Sequence, residues 1–152
     1  MRTFVIGCDN AAVRMKDALA SLLEEQGMVV ENMGCDSPDD PINYPTVASR
    51  VCRSIIDSGF EKRGILVCGT GIGMAMTANK FRGIRAAVCH DSFSAERSIL
   101  SNNANVLCMG ERVIGIELAK KIAKEWIRLE YVDGSSTPKI QEICDIESKV
   151  MR

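Results

Sequence analysis

Two short segments of the 152-residue chain combine residue types that can move protons on a small polar molecule. The first is Gly7-Cys8-Asp9-Asn10, where a carboxylate and an amide directly follow the apolar run Thr3 to Ile6. The second is Cys68-Gly69-Thr70-Gly71-Ile72-Gly73, where a thiol opens a glycine-rich loop behind the apolar run Gly64 to Val67. Between a strand and a helix, such a loop can turn successive backbone amides toward an anion or a developing negative charge. A thiol at its start lies in the same positive potential, which favours negative sulfur and makes Cys68 a candidate base. The Thr70 hydroxyl can donate or relay a proton. Two other phosphate-loop readings fail on spacing. A dinucleotide fingerprint needs Gly-x-Gly-x-x-Gly, and here the third glycine comes one residue early. A P-loop needs Gly-Lys-Ser/Thr, and Gly73 is followed by Met74. Taken alone, the loop could also be a glycine turn that merely lets a helix pack on a strand.

The elements that would hold these segments can be read from periodicity. Apolar runs of strand length begin at Thr3, Met28, Gly64, Ile84 and Asn105, and their near-continuous hydrophobicity predicts a sheet covered on both faces. Between and after them, 11–26, 45–58, 74–80, 93–101 and 115–131 carry apolar residues at helical spacing. This βα alternation predicts an α/β fold, a doubly wound five-stranded parallel sheet in the flavodoxin-like order 2-1-3-4-5. In that order strands one and three flank the point where the winding reverses, and ligands bind beyond the carboxyl ends of strands at such a point. Asp9 and Cys68 would then face each other across one crevice. A polar link after Tyr131 leads to an amphipathic stretch from Lys139 to about Val150 that has no strand of its own, and this predicts a helix docked on a neighbouring subunit.

Composition bounds the rest. The chain reads as one domain over 1–152, 46% hydrophobic and 26% charged, with a net charge of -1 that offers no basic field to nucleic acid. No apolar run approaches the roughly 20 residues that span a bilayer, so no membrane is expected. Seven cysteines without any Cys-x-x-Cys suggest reduced thiols in a cytoplasmic protein rather than a disulfide framework or a zinc knuckle. Most of these thiols sit in apolar runs as small buried hydrophobes. The acidic 36–40 segment lacks the spacing of a calcium loop and reads as solvated. Leu118, Ile122, Trp126 and Leu129 read as core or interface. His90, the only histidine, follows the fourth strand and reads either as an ordinary loop residue or as a substitute acid.

Beyond these local features, Cys68-Gly-Thr-Gly-Ile-Gly with Ala78-Asn79-Lys80 and Gly83-Ile84-Arg85-Ala86 resembles the central motif of the ribose-5-phosphate isomerase B and galactose-6-phosphate isomerase family. Ile6 to Asp9, Asn43-Tyr44-Pro45, Asn102, Asn105 to Leu107 and Gly110 to Gly115 extend the resemblance along nearly the whole chain. It implies metal-free and cofactor-free aldose to ketose isomerisation of a phosphorylated sugar, in homodimers or homotetramers with active sites shared between subunits. By resemblance Cys68 moves the carbon-bound proton with Thr70 assisting, the amides of Gly69, Gly71, Ile72 and Gly73 stabilise an enediolate, and Asp9, Asn10, Tyr44, Ser101 and Asn102 contact the sugar. Arg112 and Lys139 would hold the phosphate. The first expectation is ribose 5-phosphate to ribulose 5-phosphate. The family pattern has His where this chain has Asn10 and Ser101, and arginines at the positions of Ser135 and Lys139. These departures leave three alternatives: a cysteine-bearing half of a heteromeric hexose-phosphate isomerase, a tetrose-phosphate isomerase, or a non-catalytic sugar-phosphate binder.

Overall fold

The structure is a computed structural model that describes residues 1–151. Five strands alternate with helices as the periodicity predicts: β1 (Thr3–Cys8), α1 (Val13–Glu25), β2 (Val29–Asn32), α2 (Tyr44–Asp57), β3 (Arg63–Cys68), α3 (Ile72–Ala78), β4 (Ala86–Val88), α4 (Ser92–Leu100), β5 (Val106–Gly110), α5 (Ile116–Trp126) and α6 (Thr137–Val150). All strand pairs are parallel, and the sheet order is β2-β1-β3-β5-β4. The class is the expected one, but the order 2-1-3-4-5 is corrected at its last two places. The reason is burial. Every residue of β5 is buried, which requires a strand on each side, whereas three-residue β4 is half exposed and suits an edge.

Successive residues of each strand point to opposite faces, so the strands feed two separate cores. Phe4, Ile6, Ile65, Val67, Leu107 and Met109 face α1, α4 and α5. Val5, Leu66, Val106 and Cys108 face α2 and α3. Trp126 of α5 is fully buried against the first face, its ring edge-on to Phe4 at 6.3 Å. Its indole N–H donates to Ser98 Oγ of α4 at 3.1 Å, so the largest apolar side chain also ties two helices together. Burying an indole this way leaves no polar atom of the ring without a partner.

Two side-chain amides, exposed Asn79 and buried Asn105, explain motif residues that carry no chemistry. Asn79, at the end of α3, both donates to the Ala86 carbonyl and accepts from the Ala86 N–H, at 2.9 and 2.8 Å. Asn105 does the same for the turn before β4, accepting from Arg85 N–H and donating to the Gly83 carbonyl, each at 2.8 Å. Asn79 stands in for a missing strand at the free edge of β4, and Asn105 extends the pairing on the β5 side.

α3 departs from its expected span of 74–80. It starts two residues earlier, inside the glycine loop, because Gly71 takes a left-handed conformation (φ 79°) that lets the chain turn directly into the helix. α6 lies apart from both cores, with Ile140 as its buried residue and one anchor, Glu147 accepting from Gly83 N–H at 2.9 Å. Ile143, Ile146 and Val150 share a face at helical spacing and are exposed beside a cleft of about 480 Å³ walled by Ile84, Ala86 and Ala87. No helix among the described residues is long and apolar enough to cross a membrane.

Candidate active site

Cys68 ends β3, in register with Gly110 of β5, while Cys8 of β1 is in register with Val67. Asp9 therefore leaves the sheet beside Cys68. Because α1 and α3 pack on opposite faces, the chain ends of β1 and β3 separate and open the crevice that the winding requires. Cys68 itself is 4% exposed and packs with the core on the α2 and α3 face, and the Gly71 N–H donates to its sulfur at 3.1 Å. The Cys68 side chain is thus oriented by the loop that follows it.

That loop is fixed by the end of β5. The Cys68 carbonyl accepts from Glu111 N–H and the Gly69 carbonyl from Arg112 N–H, both at 3.0 Å. Two glycines permit the approach: a Cβ at Gly110 would sit 2.5 Å from Thr70 Cα, and one at Gly71 would sit 2.9 Å from the Met109 carbonyl carbon. Around this core the other side chains gather. Tyr44, at the first residue of α2, lies over Gly73 so closely that a methyl there would be 2.6 Å from its ring. The Arg112 side chain crosses Gly69, with Cδ and Nη1 each 3.5 Å from where a Cβ would be. Thr70 Oγ1 accepts from Ile72 N–H at 3.3 Å, and Asp9 Oδ1 accepts from Ala11 N–H at 3.0 Å. Asn10 is exposed on the same rim. Asp9, Asn10, Tyr44, Cys68, the 69–73 loop and Arg112 are brought together at one edge of the sheet.

Ser101, Asn102 and Lys139 are not. Ser101 and Asn102 precede β5, whose register runs from Gly64↔Val106 to Cys68↔Gly110, four steps or about 13 Å of strand. Lys139 lies in the first turn of α6, where Thr137 is hydrogen-bonded to Tyr131, and Tyr131 shares a cleft with Arg2 and Arg63 at the amino ends of the strands. Within one chain the expected site set therefore falls into two groups at opposite ends of the sheet. The reason is that sequence motifs report residue type and not which end of a strand a loop serves.

His90 has a defined duty. Its Nε2 accepts from Gly110 N–H at 2.9 Å, extending the β4 to β5 ladder through a side chain. Burial pushes its pKa below the usual 6.5, opposed by the Asp91 carboxylate. As an acceptor at Nε2 it offers no proton there, which speaks against the substitute-acid reading. Asp36 of the acidic loop is likewise committed, accepting at 2.6 Å from the fully buried Lys16 ammonium. Among the described residues no group of three or more His, Cys, Asp or Glu is placed to hold a metal ion. Sequence reasoning missed Glu111, whose carboxylate accepts from Met15 N–H at 2.9 Å across 96 residues of chain. It lay inside a quoted motif, but nothing in the sequence signals a helix cap supplied from so far away.

A two-faced parallel α/β sheet with a thiol and an amide loop at its winding reversal is the architecture in which ligands bind beyond the carboxyl ends of the strands. Comparison with known proteins narrows this to a family. Residues 4–143 match the model of the Ribose/Galactose Isomerase family, and the chain belongs to that family. It is 47% identical to a D-erythrulose-4-phosphate isomerase of Mycolicibacterium smegmatis over 94% of this chain and 95% of that one. It is 46% identical to a D-erythrulose-4-phosphate isomerase of Pectobacterium atrosepticum, with 94% and 93% covered. Among solved structures, ribose-5-phosphate isomerase B of Clostridium thermocellum superposes with a TM-score of 0.91 at 35% identity, covering 97% of this chain and 98% of that one. The chain is a sugar-phosphate isomerase with the fold of that family.

Two outcomes are expected from this geometry. Gly110→Ala forces backbone apart at the Thr70 contact, so overpacking should cost about 1–3 kcal/mol in urea unfolding and should depress turnover more than stability alone explains. Because the folded pKa of His90 lies below its ordinary value, its bond to Gly110 contributes stability fully above about pH 6.5 and loses it as pH falls through the folded value. Melting temperatures of wild type should drop in that interval, and a non-titrating His90→Asn variant should flatten that part of the profile.

Proposed function

We propose that this isomerase interconverts the ketose and aldose forms of a four-carbon sugar phosphate, erythrulose 4-phosphate and erythrose 4-phosphate, with Cys68 as the carbon base. The observation that carries the substrate is the commitment of the one histidine, His90, to Gly110, in a chain that bears Asn10 and Ser101 where a ring-opening imidazole would be sought. An aldotetrose closes its five-membered ring through O4, and a 4-phosphate occupies that oxygen. Such a substrate is always open and needs no acid to free its carbonyl. Similarity to two relatives that carry the erythrulose-4-phosphate name supports the same reading.

The chemistry follows from the crevice. The Cys68 thiolate takes one proton from C1 of the ketose and becomes a thiol, the electrons of that C–H bond move through C1=C2 onto O2, and the amides of the Gly69 to Gly73 loop stabilise the resulting enediolate. The same sulfur returns the proton to C2, while the proton on O1 passes to O2 by way of the Thr70 hydroxyl or Asp9. Atoms and charge balance, since substrate and product are isomers. Tyr44 and Asn10 contact the sugar hydroxyls, and Arg112 meets the phosphate with a guanidinium fork.

The second group of residues joins the site if two copies pair. Ser101, Asn102 and Lys139 of a second copy would then approach Cys68 of the first, and the exposed Ile143, Ile146 and Val150 of α6 supply an apolar face for that contact. Ribose 5-phosphate is the second reading, favoured by likeness to the Clostridium thermocellum enzyme.

Purified protein should be incubated separately with erythrulose 4-phosphate, ribose 5-phosphate and galactose 6-phosphate, following solvent deuterium uptake and product. Turnover of the tetrose with the highest kcat/KM is expected; preference for the pentose would reverse the substrate assignment, and inactivity toward all three would leave a binder. Cys68→Ala should lower kcat by about 100-fold or more, as loss of a proton-transfer group does, and full retention would remove the base. Light scattering should give the mass of at least two chains, and Ile146→Glu should yield a folded monomer with little activity.

A further inference from the structure

α1 begins without a local cap. Its N-cap residue is Ala12, which makes no side-chain cap bond, and its first turn holds no acidic residue. One of the free N–H groups there, that of Met15, is instead taken by Glu111 Oε1 at 2.9 Å. A carboxylate suits this place, because it meets the positive end of the helix and makes a charge-assisted bond. The same residue's backbone N–H donates to the carbonyl of Cys68 at 3.0 Å. Glu111 therefore touches the thiol-bearing residue on one side of the crevice and the start of α1 on the other.

On the α1 side the connection reaches the sugar-facing carboxylate. The Asp9 carbonyl accepts from Ala12 N–H at 3.2 Å, and Asp9 Oδ1 accepts from Ala11 N–H at 3.0 Å, so the Asp9 turn is built on the residues that open α1. Hydrogen bonds join Cys68 to Glu111 and Glu111 to Met15, and the backbone of the first turn of α1 carries the connection from Met15 back to Ala11 and Ala12, which bond to Asp9. Neighbouring Arg112 is placed by its own bond to the Gly69 carbonyl. We propose that Glu111 is a positioning residue, a brace that sets the gap between Cys68 and the Asp9–Asn10 turn and so fixes the reach from base to sugar. This role rests on the reading of Cys68 as the base.

The full-length protein with Glu111→Ala and with Glu111→Gln tests the brace. Glu111→Gln keeps an oxygen that accepts from Met15 N–H, whereas Glu111→Ala does not. In Glu111→Ala, kcat should fall about tenfold or more with KM changed far less, since misplacing a base by about an ångström carries a cost of that order. Glu111→Gln should restore most of the loss. Amide resonances of Met15, Asp9 and Asn10 should shift in the alanine variant and return toward wild-type positions in the glutamine variant. A lowered melting temperature with kcat unchanged below it would make Glu111 merely structural and overturn the proposal. So would a glutamine variant as impaired as the alanine one, or unmoved Asp9 and Asn10 amides. If wild type isomerises none of the sugar phosphates, the base assignment fails separately, while the amide shifts still decide whether Glu111 sets the crevice.

Discussion

The contact between the end of β3 and the end of β5 governs the rest of this molecule. Two backbone hydrogen bonds, from Glu111 and Arg112 to the carbonyls of Cys68 and Gly69, fasten the glycine loop to the neighbouring strand. They form only because Gly71 and Gly110 have no Cβ, which lets two stretches of backbone approach to distances a side chain would forbid. This contact exists because β5 lies beside β3. A central β5 brings the Gly110 to Arg112 segment directly against the loop, and β4 is left to the edge, where Asn79 bonds its free side while Asn105 and His90 extend its pairing with β5.

Preorganisation of the site follows from that attachment. The sulfur of Cys68 is held by Gly71 N–H, the loop by β5, and β5 by His90 on one side and by Glu111 on the other. Each restraint is a hydrogen bond to backbone rather than a packed side chain, so it fixes position without filling the space a substrate needs. Asn10, Thr70 and Arg112 are exposed polar groups on the rim of the candidate site.

Separation of the candidate residues into two groups gives the fold a second consequence. Ser101, Asn102 and Lys139 sit at the opposite end of the sheet from Cys68, and Ile143, Ile146 and Val150 of α6 are exposed along the cleft walled by Ile84, Ala86 and Ala87. A strand of five residues is too long for a side chain to bridge, so no rearrangement of one compact domain joins the groups. In the proposed function, pairing of two copies through the strandless helix α6 would join them.

Much of this was legible before any coordinates. The βα alternation, the strand positions and the glycine loop behind β3 all follow from local periodicity and from residue type. These properties depend on neighbours a few positions apart. The order of β4 and β5, the Gly110 bond that commits His90, and the cap that Glu111 gives α1 depend on which distant segments lie side by side. Sequence spacing holds no record of that, because these contacts are selected by burial over the whole sheet: a fully apolar β5 must be central, and its position then decides what every loop beyond it can touch.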